Sequence, residues 1–78
     1  MGEARMGEAR IILYGGQPTF DLEVLRNDAF LAEFRAAVPY PHSIWHPRLK
    51  VWRVDREYLE VTKKIAAEYF EYVSETQG

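Results

Sequence analysis

The chain predicts a small α+β domain with the element order ββαββα, a mostly antiparallel four-stranded sheet carrying two helices on one face. Three observations lead there. Phe20, Leu22 and Val24 alternate with Asp21 and Glu23, the period of a strand with one wet face. Apolar residues recur at helical spacing in two later stretches, around Phe30 and around Ile65. Extended runs come in pairs, each pair joined by a Gly- or Pro-containing turn.

The first ten residues are a direct repeat of M-G-E-A-R. A five-residue unit buries no face of its own, so residues 1–9 read as a disordered tail, 10–74 as the domain and 75–78 as a frayed end. Arg10 to Tyr14 is a short β-branched run. Gly15-Gly16-Gln17-Pro18 then supplies permissive backbone and a boundary proline, closing a first hairpin with the alternating stretch from Thr19 to Leu25. Asn27 or Asp28 can cap a helix to Val38, with Phe30, Phe34 and Ala37 one turn apart and Pro39 and Pro41 ending it. A second hairpin pairs His42–Trp45 with Leu49–Val54 across a turn at His46-Pro47-Arg48. Asp55 can cap a last helix from Arg56 to about Ser74, whose stripe is Tyr58, Thr62, Ile65, Tyr69 and Val73.

At 78 residues there is room for one domain, and a chain this short buries only about 60% of its unfolded surface. An apolar content of 47% and an aromatic content of 14% supply the dense core that such a size needs, and exclude a disordered tail. Without cysteine there is neither a disulfide framework nor a thiolate zinc site. No apolar run approaches the roughly 20 residues that span a bilayer, and the N-terminus has no signal-peptide core. The expectation is a cytoplasmic protein without a membrane partner.

Net charge is only −2, so its distribution carries the information. Between residues 42 and 56, Arg48, Lys50, Arg53 and Arg56 stand against Asp55, a local +3 that leaves −5 for the remainder. The same stretch holds both tryptophans. Cations interleaved with aromatics suit a surface that neutralises phosphates while a base stacks on a ring. The candidate nucleic-acid site is therefore Arg48, Lys50, Arg53, Arg56 and Trp45. Strand alternation puts Lys50, Trp52 and Val54 on one face and Leu49, Val51 and Arg53 on the other, which assigns Trp52 to the core. Trp45 lies beside the turn, where a large ring either closes the end of the core or stands exposed.

Other chemistry is poorly supplied. The Gly15-Gly16 pair has no Walker lysine and no helix directly after it, so it reads as a turn. His42 and His46 in an extended strand lie about 13 Å apart, too far to share one ion. Two serines, no cysteine and no spaced acid–base pair argue against an enzyme, and no cofactor is expected.

A first hairpin, a helix ending at Val38-Pro39, the run W-H-P-R-L-K-V-W-R-V from Trp45 and a closing helix led by Tyr58-Leu59 together resemble a HARP-type domain, the accessory DNA-binding domain of annealing helicases. Val38-Pro39, Trp45-His46-Pro47, Lys50, Trp52 and Val54 occupy the places of its pattern, and His46 stands where the family carries an acidic residue. The resemblance spans nearly all of Ile11 to Tyr72. It implies a module that binds single-stranded or branched DNA beside a helicase, without hydrolysing ATP itself. The rival expectation is a protein-interaction module or small regulator docking on a larger enzyme, which the acidic final helix favours.

Overall fold

β1 (Glu8–Leu13) and β2 (Thr19–Glu23) form the first hairpin, antiparallel, with Ile11 opposite Leu22 and Leu13 opposite Phe20. Its turn closes through Gln17 N–H donating to the Tyr14 carbonyl at 3.1 Å, and Gly16 takes the φ of 77° that a side chain would resist. These elements belong to a computed structural model that describes residues 7–78; the reading of a tail falls, for residues 1–6, outside the described residues.

α1 (Asp28–Ala37) starts where Asn27 Oδ1 accepts from Phe30 N–H at 3.0 Å, one of the two caps expected. It stops at Val38, which leaves helical geometry before Pro39. Phe30 and Phe34 are fully buried, one turn apart, with rings stacked at 5.4 Å. The second hairpin joins β3 (Ser43–His46) to β4 (Val51–Asp55), and β4 pairs antiparallel with β2, Val54 opposite Phe20. A single 3-10 turn, Arg56–Tyr58, leads into α2 (Leu59–Tyr69). Ile11, Leu13, Phe20, Leu22 and Val54 point to one side of the sheet and form a single core with Phe30 and Phe34 of α1 and Ile65 and Ala66 of α2. Both helices thus cover the same face.

The sheet has five strands and is mixed, where four antiparallel ones were expected. Its order is β3-β4-β2-β1-β5, and the extra strand, β5 (Tyr72–Gln77), lies parallel to β1 along the whole of it, from Glu8 beside Tyr72 to Leu13 beside Gln77. The last helix accordingly ends at Tyr69, not Ser74. Phe70 turns extended (φ −121°, ψ 148°) and drops its ring into the core, edge-on to Phe30 at 5.2 Å. Helical periodicity through Val73 is outweighed by the backbone groups on the outer edge of β1, which a fifth strand satisfies and a longer helix would leave bare.

Two boundaries move for the same reason. β1 begins at Glu8, Ala9 is fully buried, and the Gly7 carbonyl accepts from the N–H groups of Glu71 and Tyr72, so residues 7–9 belong to the fold and not to a tail. At the other end Glu75 to Gln77 lie in the sheet, and Gly78 N–H donates to the Leu13 carbonyl at 2.7 Å instead of fraying. Asp55 does not cap the last helix. Its carboxylate receives His42 Nδ1 at 2.8 Å and makes no cap bond.

Candidate nucleic-acid interface

β3 is the outermost strand on its side, and of the two side chains that it directs toward the helices Ser43 is buried and donates to the Val38 carbonyl, whereas Trp45 has cover from one side only. It lies opposite Trp52 of β4, ring centroids 5.4 Å apart, and remains 45% exposed. Trp52 is closer to the centre and half-buried, its ring edge-to-face with Phe34 at 5.6 Å. It packs on the margin of the core without being sealed in it, a weaker burial than its alternation with fully buried Val54 implies. The Arg35 guanidinium carbon stands 6.0 Å from the Trp52 ring centroid, within cation–π range.

Between α1 and β3 the two rings form the floor of an open groove of about 660 Å³, with walls from Val24, Leu31, Tyr40 and Ile44 and cations from Arg26 and Arg35. Arg26 pairs with Asp28 at 3.0 Å, but both side chains are more than four-fifths exposed, so the pair is loosely held. A groove with exposed indole faces and two guanidinium groups can hold a flat ring and an anion attached to it.

None of the cations expected from the hairpin lines this groove. Arg48 is exposed in the turn that joins the strands. Lys50 closes that turn at φ 58°, its N–H donating to the His46 carbonyl at 2.7 Å, and its side chain borders a separate, shallower depression with Glu8, Arg10 and Glu23. Arg53 projects from the face without helices, where it is committed to Asp21: Nε donates to Oδ1 at 2.9 Å and a terminal nitrogen to Oδ2 at 3.2 Å. Asp21 is 2% exposed, and its bond holds the Arg53 guanidinium charged, above the ordinary arginine range. Arg56 lies at the other end of the hairpin, reaching the carbonyls of Tyr14 and Gln17 at 3.5 and 3.4 Å. Of the five residues singled out in the sequence, Trp45 alone lines the groove.

Arg26 and Arg35 escaped the sequence reading. Arg35 follows Leu31 by one helical turn, which puts both on the flank of the Phe30–Phe34 stripe; the signal was present, but only the location of β3 shows what that flank faces. His42, Asp55 and Glu57 were missed as a group. Their ligand atoms lie within 4.8 Å of one another at the base of the second hairpin.

The fold and groove define a small α+β domain with an aromatic surface site and a polar, helix-free sheet face. No protein-family model matches the chain, and neither a curated protein nor a solved structure matches it. No helix among the described residues is long and apolar enough to cross a membrane.

Proposed function

We propose that this domain binds single-stranded DNA, including the single-stranded arm of a fork, in the groove between α1 and β3, and that it catalyses no reaction. The observation that carries this reading is the half-exposed Trp45 beside Trp52, with Arg35 over the Trp52 ring. Each base stacked on such a ring contributes about 1–3 kcal/mol regardless of its identity, and guanidinium groups at the rim meet the phosphates on either side. Resemblance of the hairpin to HARP-type domains supports DNA as the ligand and a helicase as the protein that the module accompanies.

Titration with a short oligothymidylate, read by tryptophan fluorescence at two salt concentrations, tests the proposal. Two or three phosphate contacts correspond to a salt slope between about −1.4 and −2, at roughly −0.7 per contact on a single strand. Absence of salt-dependent quenching at low ionic strength overturns it.

A second reading has its own observation. Tyr40 and Ile44 in the walls of this groove are 77% and 46% exposed, an apolar rim that suits a protein segment. A protein partner that competes for the groove and survives Arg26→Glu with Arg35→Glu would install that reading in place of DNA.

A further inference from the structure

We propose that His42, Asp55 and Glu57 form a divalent-cation site, and that its chemistry selects zinc. The three come from different places in the chain: the entry to β3, the last residue of β4 and the 3-10 turn after it. Two of them are already set. Asp55 N–H donates to the His42 carbonyl at 2.9 Å and His42 N–H to the Pro39 carbonyl at 2.8 Å, which fixes both backbones, while the His42 ring rests on Tyr58 at 5.0 Å.

His42 Nδ1 and Asp55 Oδ2 lie 2.8 Å apart. Ligand atoms about 2.0–2.2 Å from a tetrahedral ion are separated by roughly 3.3 Å, so a slight opening of this pair admits one. The metal takes the place of the hydrogen bond between them, and the ring proton sits on Nε2, so the imidazole stays neutral. Glu57 is exposed, and all three ligand atoms already fall within 4.8 Å, so rotation of its side chain completes the set. Charge points the same way. Two carboxylates with a neutral imidazole sum to −2, and Arg56, the cation between them in sequence, has turned its guanidinium to the Tyr14 and Gln17 carbonyls.

An imidazole nitrogen with two carboxylate oxygens suits zinc, whereas magnesium and calcium take sets made of oxygen. Three protein ligands leave one position for water. Bound there, the ion would tie the base of the second hairpin to the start of α2. Of the two histidines considered from the sequence, His42 takes part and His46 does not.

The test uses the full chain without an affinity tag, by calorimetric titration and thermal melting with zinc chloride, and with magnesium chloride as control. Expected are one zinc per chain and a Tm rise of several degrees in excess zinc, with no such rise in magnesium. Glu57→Gln, at an exposed position, leaves the His42–Asp55 pair and the fold intact and should weaken zinc binding by at least about tenfold, the least that loss of an outer-shell partner costs. His46→Ala should bind as the parent does. Absence of zinc binding overturns the proposal and leaves His42 and Asp55 an ordinary hydrogen-bonded pair. Undiminished binding by Glu57→Gln, or loss of binding in His46→Ala, overturns it equally.

Discussion

Arg53 grips both carboxylate oxygens of Asp21 across the β2–β4 pairing, and Tyr14 donates its hydroxyl to one of them at 2.9 Å. A carboxylate 2% exposed is thereby satisfied on the sheet face that has no helices. Arg53 therefore holds the sheet together and is not a free cation. Removing one partner of a buried pair costs about 3–5 kcal/mol, and because Arg53 is itself 41% exposed the cost here falls toward about 2–3 kcal/mol. Arg53→Ala should lower the midpoint of urea unfolding accordingly, and Arg53→Glu more, since it sets carboxylate against carboxylate. An unchanged midpoint would show the pair to be dispensable.

The two tryptophans should separate function from stability. Trp45→Ala removes an exposed ring and is expected to abolish oligothymidylate binding while leaving a cooperative melt within about 1 kcal/mol of the parent. Trp52→Ala removes the ring that packs on Phe34 and should cost about 3 kcal/mol, the low end for a large aromatic because this one is half-buried. Equal stability losses in the two variants would contradict the asymmetry of the groove.

Deleting residues 1–9 should lower the Tm by several degrees. The deletion takes away the Gly7 carbonyl that receives Glu71 and Tyr72, and with it the fully buried Ala9. Sequence alone predicts no effect, so a melt indistinguishable from the parent would restore the reading of a tail that runs to residue 9.

Stability should fall on the alkaline side. The bond to Asp21 raises the Tyr14 hydroxyl above the ordinary tyrosine value, and that to Glu33 does the same for Tyr69. Raised folded-state values stabilise the fold below the unfolded value and lose that contribution as pH climbs through the folded one, here above roughly pH 10. Lys63, raised mainly by its bond to Glu75, runs in the same direction. Tyr14→Phe with Tyr69→Phe should flatten the decline between neutral pH and pH 11, measured as urea midpoints; an unaltered slope would assign it elsewhere.

Local pattern carried much of this fold. Alternation in Phe20–Val24, the Asn27 cap with its Phe30–Phe34 stripe and the paired runs around Pro47 are short-range signals, written in neighbouring residues, and they appear as β2, α1 and the second hairpin. The helices share one face because both stripes need the same apolar side of the sheet. The candidate site was legible only at Trp45. The alternation that separates the two faces of β4 could not disclose that Arg53 meets Asp21, 32 residues earlier, since strand order decides that.

Tyr72–Gln77 shows the limit most clearly. By itself the sequence determined an α+β chain, two hairpins, two amphipathic helices and a cluster of aromatic and basic residues, because each rests on contacts within a few positions. Only the tertiary structure decided that the last segment leaves the helix to pair in parallel with β1, that Trp45 is half-exposed beside Trp52, and that His42 meets Asp55 and Glu57. Each depends on an unpaired edge or a facing surface made by residues distant in the chain, and the free energy of covering that edge exceeds the small propensity differences that a local reading weighs.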